Sequence, residues 1–100
     1  MNKFTMFGKL TAHPGKREEL ISLLLESSLS LNDMEGCEFY IINESVDDPD
    51  AIWITELWSD AQAHADSLKN EEVLAVIQRA RPLIAGIEPI RLRPVGGKGL

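Results

Sequence analysis

The order in which hydrophobic periodicity changes along the 100 residues restricts what this chain can fold into. Segments in which apolar residues alternate predict strands, over 2–12, 37–45, 51–58 and 87–95. Segments with apolar residues every three or four positions predict helices, over 16–32, 61–68 and 71–83. Asp60 is the expected N-cap of the short helix, and Gly86 is expected to end the last helix.

The resulting order, β-α-β-β-α-β, is that of the ferredoxin-like split motif. It predicts an α+β fold in which a four-stranded antiparallel sheet carries its helices on one face. Pro89 and Pro94 indicate that the last strand lies at an edge of the sheet or contains a bulge. One hundred residues form one domain, predicted over 1–95, and the glycine-rich segment 96–100 is expected to be a mobile tail.

Composition excludes several classes of protein. The net charge of −6, from 10 basic and 16 acidic residues, argues against a broad nucleic-acid surface. No run of 18 apolar residues and no secretory signal region occurs, so no membrane association is expected and a cytoplasmic protein is predicted. Cys37 is the single cysteine, which leaves no internal disulfide and no cysteine zinc cluster.

Large apolar residues occupy both faces of the predicted strands. Helices that cover one face of the sheet would leave the other open, and alternation assigns five residues to that open face: Phe7, Tyr40, Ile42, Trp53 and Leu57. Because a soluble monomer rarely exposes such a patch, we expect a homodimer packed sheet to sheet. The alternative is a monomer with scattered exposed aromatic residues.

Three residues around the end of the third strand are candidates for chemistry. Glu56 and Trp58 share the helix-covered face, and His64 follows on the short helix. A carboxylate there is costly unless paired, so Glu56 is either a base with a raised pKa or the partner of Arg79, Arg91 or Arg93. Trp58 is either a core residue or the wall of a pocket. His64 is either a surface residue or a base suited to neutral pH.

Further residues are assigned to the same inner face. Met6 and Phe39 are predicted to contact a substrate. Gly8 indicates either a bulge or space for that substrate, and crowding in the core is the equal alternative explanation. His13 is expected to be a turn residue. No GxGxxG motif follows a strand, the tail is no P-loop, and two distant histidines do not indicate a metal site. No cofactor and no metal are therefore expected.

The chain also resembles a known family. The segments that carry the resemblance are GKLTAHPGKREEL, DMEGCEFYIINESVDDPDAIWITELWSDAQAHADSL, RARPLIAG and GGKGL. Together they are similar to the antibiotic biosynthesis monooxygenase domain over nearly the whole chain. The resemblance implies a ferredoxin-like fold that dimerises through its sheets into an α+β barrel. Family members include cofactor-independent oxygenases of anthrones and quinols, haem-degrading enzymes and a sugar-phosphate isomerase.

The resemblance implies a function and some site residues. Trp58 matches the aromatic position that borders the family's pocket. In the haem-degrading branch, the tryptophan acts with an asparagine on the first strand and a histidine on the last helix. This chain has Gly8 at the first position and no histidine within 71–85. These two differences argue against haem degradation. Many members carry a histidine near Ser67, whereas this chain has His64. The expected function is cofactor-independent monooxygenation of an electron-rich aromatic by O₂; the alternative is an isomerase or a non-catalytic ligand-binding dimer.

Overall fold

A computed structural model describes residues 2–100 of the chain, so residue 1 of the predicted domain 1–95 lies outside the described residues. The strands are β1 (Phe4–Ala12), β2 (Cys37–Glu44), β3 (Ala51–Trp58) and β4 (Ile84–Leu92). The helices are α1 (Arg17–Leu31), α2 (Ala61–Ser67) and α3 (Glu71–Ala80), followed by a 3₁₀ turn, Arg81–Leu83.

The four strands form one antiparallel sheet in the order β2-β3-β1-β4. β1 and β3 are central, while β2 and β4 are the edges. This order and the helices packed on one face confirm the predicted ferredoxin-like α+β fold. β4 pairs Pro89 with Gly8 of β1, and its position at the edge agrees with what Pro89 indicated.

Two buried clusters hold the helices on the sheet. The first places Leu10 and Ile52 of the central strands against Leu20 of α1 and Ala80 of α3. Leu20 and Ile52 are fully buried, and each such side chain contributes roughly 1.5–3 kcal/mol to folding. The second cluster surrounds the end of β3 and contains Phe4, Leu31, Trp58 and Val73. The gap between helices and sheet that is left beside these clusters positions the candidate site.

The end of α3 differs from the prediction. The helix ends at Ala80 and β4 already begins at Ile84, so Gly86 lies inside the strand, paired with Thr11. Pro82 is the physical reason, because its ring lacks an N–H and clashes with the preceding helical turn. The prediction that Gly86 caps the helix was wrong, and the last strand starts three residues earlier than expected.

A bulge in β2 reverses the predicted faces of that strand. Cys37 pairs with Trp58 and Phe39 pairs with the next residue, Leu57, so Glu38 is an extra residue in β2. A bulge of this kind moves every later side chain to the opposite face. Tyr40 and Ile42 therefore pack on the helix side, and Phe39 lies on the open face with 40% of its surface exposed. The assignments of Tyr40 and Ile42 to the open face and of Phe39 to the inner face were wrong.

The open face of the sheet is apolar and is covered by no helix of the described chain. Its exposed large residues lie on three strands: Phe7, Phe39, Ile41, Ile90 and Leu92. Trp53 and Leu57 lie on this face as predicted, since they pair with Lys9 and Thr5 of β1. The Lys9 ammonium sits 5.9 Å from the centre of a Trp53 ring.

No helix within residues 2–100 has both the length and the apolar character needed to cross a membrane.

Candidate functional site

A cavity of about 390 Å³ lies between the inner face of the sheet and the helices. This volume is within the usual range of small-molecule sites. Its deep walls are buried apolar residues such as Ile54, Val73 and Ala80, and its exposed lining residues include Leu68, Ile87 and Pro89. The cavity therefore opens towards the uncovered edge strand β4. The polar or titratable lining residues are few: Ser27, Tyr40, Glu56, Trp58, His64 and Ser67.

Glu56, Trp58 and His64 meet at one end of this cavity. Trp58 Nε1 donates a hydrogen bond of 3.0 Å to Glu56 Oε1, and His64 Nε2 lies 3.8 Å from the same oxygen. The His64 ring meets the Trp58 ring edge-on, with 5.5 Å between centroids. Arg79 pairs instead with Glu26, and within residues 2–100 neither Arg91 nor Arg93 forms an ion pair with Glu56. The arginine partner proposed for Glu56 is replaced by an indole and an imidazole.

Local structure explains how these three side chains come together. Alternation along β3 directs Glu56 and Trp58 to the inner face. Asp60 accepts a hydrogen bond from the Ala63 amide, as expected of an N-cap, and starts α2 directly after the strand. Gly36 has a φ of +95°, and its Cα approaches α2 so closely that a Cβ would lie 2.7 Å from Ala63 Cβ. The missing side chain of Gly36 thus permits the close packing of α2, the helix that carries His64, against the segment before β2.

Burial shifts the protonation of both titratable groups. It raises the pKa of Glu56, an effect that the hydrogen bond from Trp58 partly offsets. Burial also lowers the pKa of His64, and the positive charge of Arg91 lowers it further. A neutral imidazole is therefore favoured beside the carboxylate, and its Nε2 is free to accept a proton when it carries no hydrogen.

Tyr40 is a cavity residue that the sequence prediction missed. It lines the cavity and stands opposite Glu56 in the β2–β3 pairing. Burial, with contributions from the charges of Glu56 and Cys37, raises the pKa of Tyr40 far above its ordinary value. Its phenol therefore stays protonated and is available as a hydrogen-bond donor. The signal that could have located it is the extra residue in β2, which sequence periodicity alone does not reveal.

The other predicted substrate contacts have different outcomes in the structure. Met6 lines the cavity, while Phe39 is on the opposite face of the sheet. Gly8 lies among lining residues: its pairing partners are Ile54 and Pro89, and Met6 and Leu10 are its same-face neighbours. A Cβ built on Gly8 would meet no atom within 4 Å. The absent side chain thus leaves open space over the middle of the sheet.

This arrangement combines a proton acceptor with a mainly apolar chamber. A group that accepts a proton next to an aromatic wall suits general-base chemistry on an aromatic molecule. Within residues 2–100, no three His, Cys, Asp or Glu side chains are grouped as metal ligands.

Comparisons with known proteins agree with this architecture. The sequence profile of the family described as "Antibiotic biosynthesis monooxygenase" matches residues 3–79. A search of curated proteins finds no match.

Solved structures extend the likeness to the whole chain. A Chloroflexus aurantiacus protein described as a "putative Antibiotic biosynthesis monooxygenase" is 40% identical, with 98% of each chain covered and a TM-score of 0.88. A mutant of SnoaB, a cofactor-independent oxygenase from Streptomyces nogalater, shares the fold at 16% identity, with both chains fully covered and a TM-score of 0.87. On the family profile and the 40% identity, the chain belongs to the antibiotic biosynthesis monooxygenase family.

Proposed function

We propose that this protein is a cofactor-independent monooxygenase that oxidises an electron-rich aromatic of the anthrone or quinol type with O₂. The observation that carries the proposal is the His64–Glu56–Trp58 cluster at the end of a largely apolar cavity of about 390 Å³. Membership of the family and the shared fold of a cofactor-independent oxygenase support it. Cytoplasmic residence is part of the same proposal.

For an anthrone, the reaction balances without an added reductant. The base removes a proton from the ring-flanked CH₂ carbon, and the anion gives electrons to O₂ as a C–O bond forms. Protonation yields a hydroperoxide at that carbon. Loss of the carbon's second hydrogen then breaks the O–O bond, which leaves a C=O group in the product and releases one water molecule. An apolar chamber favours the first step, since it limits competing reactions of the anion with water.

Each residue has a distinct part in this scheme. His64 Nε2 accepts the first proton, with Glu56 orienting the imidazole or serving as the base in its place. Trp58 forms the wall against which the aromatic ring packs, while Met6 and the space over Gly8 accommodate the rest of it. Tyr40, protonated and facing the same cavity, donates a hydrogen bond to the oxygen on which charge develops.

The proposal includes a homodimer formed through the open face of the sheet. Phe7, Phe39 and Ile90 are each 39–44% exposed there, and five large apolar residues exceed what a soluble monomer usually leaves uncovered on one face. A second copy packed by two-fold symmetry would bury them. Because the bulge places Phe39 and Ile41 on the open face, these two residues replace Tyr40 and Ile42 in the proposed interface.

Oxygen consumption with 1,8-dihydroxy-9-anthrone tests the function. We expect enzyme-dependent O₂ uptake above the uncatalysed rate and, with ¹⁸O₂, one labelled oxygen in the anthraquinone product. General-base assistance is worth roughly 10²–10⁴-fold, so His64→Ala should lower kcat by a factor in that range. His13→Ala, which changes an exposed turn residue, is the matched control.

The same assay separates the alternative functions. If anthrones and quinols bind but no O₂ is consumed, the protein is an isomerase or a ligand-binding homologue rather than an oxygenase. If His64→Ala turns over as fast as the wild type, the base is another residue and Glu56 takes its place.

A further inference from the structure

A groove of about 410 Å³ lies next to the cavity and carries an unusual concentration of positive charge. Lys3, Arg91 and Arg93 line it, with Phe4 and Ala61. These are three of the 10 basic residues of a chain whose net charge is −6. Lys3 is paired with Glu38, whereas neither Arg91 nor Arg93 forms an ion pair with a carboxylate of residues 2–100.

The groove and the cavity are lined by neighbouring residues of the same elements. β1 contributes Met6 to the cavity and Phe4 to the groove, and β4 contributes Pro89 and then Arg91. Residues two apart on a strand share a face and are about 7 Å apart. On α2, His64 lines the cavity and Ala61, one turn earlier, lines the groove. Each of the two strands thus passes from one depression to the other within two residues, and α2 does so within one turn.

Contacts link the groove's charge to the proposed base. The Arg91 guanidinium lies 5.3 Å from the Phe4 ring centre, and the same ring lies 5.2 Å from the His64 ring centre. A guanidinium stacked on an aromatic ring keeps its fork of donors pointing outwards for a planar anion. After burial, the charge of Arg91 is the second cause that lowers the pKa of His64.

We propose that the groove holds a carboxylate carried by the aromatic substrate, with Arg91 and Arg93 as its specificity-determining residues. This inference rests on the proposed function, since it concerns the molecule bound in the cavity. Because Pro89 and Arg91 are only about 7 Å apart along β4, the carboxylate is expected on the ring system or close to it. An acidic protein otherwise repels anions, so two arginines without carboxylate partners at this end of the cavity select for that substituent. Arg recognises carboxylates through paired hydrogen bonds.

Binding of two isosteric ligands tests the inference. Isothermal titration at pH 7 would compare 1-hydroxy-2-naphthoate with the neutral 1-hydroxy-2-naphthamide. A hydrogen bond to a charged group is stronger than one to a neutral group, so we expect the carboxylate to bind the wild type roughly tenfold or more tightly. The ratio of the two dissociation constants should fall towards one in the double variant Arg91→Gln/Arg93→Gln, and salt should lower it in the wild type.

Control variants separate charge from folding. Arg91→Lys, which keeps the charge, should retain part of the preference. Arg81→Gln removes an exposed arginine of the 3₁₀ turn that lines neither depression, and should leave the ratio unchanged. Equal affinities in the wild type, binding of neither ligand, or a preference that survives the double variant would each overturn the inference. The proposed function is judged separately, by O₂ uptake with uncharged anthrones.

Discussion

Glu56 Oε1 accepts the indole N–H of Trp58 at 3.0 Å, so the tryptophan that walls the cavity also fixes the carboxylate beside it. Both side chains are buried, with 7% of Glu56 and 1% of Trp58 exposed. A hydrogen bond that is shielded from water in this way stabilises the charged form of Glu56. A change at Trp58 therefore also changes the environment of Glu56.

Trp58→Phe should separate the two roles of the tryptophan. It keeps an aromatic wall but removes the donor, and loss of a hydrogen bond to a charged group costs about 1.5–3 kcal/mol. We expect the free energy of unfolding at pH 7, measured in urea, to fall by at least that amount. Trp53→Phe is the control, because Trp53 lies on the same strand but on the open face. Equal losses in the two variants would contradict a stabilising role for the Trp58–Glu56 bond.

Glu56→Gln should change how stability depends on pH. Burial raises the pKa of Glu56 in the folded protein above its ordinary value of 4.5, so between these two values the native state binds more protons than the unfolded state. The wild type therefore loses stability as pH rises through that window. The variant lacks this loss and keeps an acceptor for Trp58. The free energy of unfolding of the variant minus that of the wild type should therefore be more positive at pH 7 than at pH 4.

Urea unfolding at several pH values checks the sign. Glu35→Gln, a change at an exposed carboxylate, is the matched control and should show no such trend. A Glu56→Gln variant that loses stability relative to the wild type as pH rises would contradict a raised pKa of Glu56 in the folded state.

His64 should titrate below the ordinary histidine range. The chain has two histidines, so NMR can follow both imidazoles, and the spectrum of His64→Ala identifies the one in the cavity. Because burial and then Arg91 lower the pKa of His64 from 6.5, the midpoint of its titration should lie below 6.5. Arg91→Gln removes the second cause and should raise the value. If His64 provides the base, the acid limb of kcat/KM shifts in the same direction.

Gly8 and Gly36 should respond oppositely to alanine. A Cβ at Gly8 enters open space, so Gly8→Ala should stabilise the fold by about 0.4–1 kcal/mol through the unfolded state. Gly36→Ala should destabilise it, since φ is +95° and the Cβ would overlap Ala63. Thermal unfolding measures both.

The space over Gly8 can also be tested by binding. If that space receives the ligand, Gly8→Leu should weaken naphthol binding while the protein stays folded. Unchanged binding would exclude Gly8 from the site.

Self-association should depend on the open face of the sheet. Phe7→Asp places a charge among its exposed apolar residues and should convert the proposed dimer to a monomer in sedimentation equilibrium. Leu29→Asp changes an exposed apolar residue on α1, 68% accessible, and should leave the mass unchanged. A wild type that sediments as a monomer would refute the sheet-to-sheet interface.

Sequence periodicity predicted most of the fold because β1 and β3 alternate without interruption. The inward residues of these two strands, such as Met6 on β1 and Trp58 on β3, were assigned to the correct face. The same rule misplaced Phe39 and Tyr40, because an extra residue at Glu38 leaves no mark in the hydrophobic pattern. Both Pro82 and Gly86 are residues that can end a helix, and the helix ends before the proline. How closely His64 approaches Glu56 depends on the packing of α2, which no local pattern encodes.

The bulge at Glu38 has an evolutionary consequence. The connection 45–50 and the pairing with β3 fix the register of Phe39 and Tyr40, while the extra residue is absorbed before them. A codon can therefore be lost at this position without rotating Tyr40 away from Glu56. The length of the connection between α1 and β2 can then change while the side chains that line the cavity keep their positions.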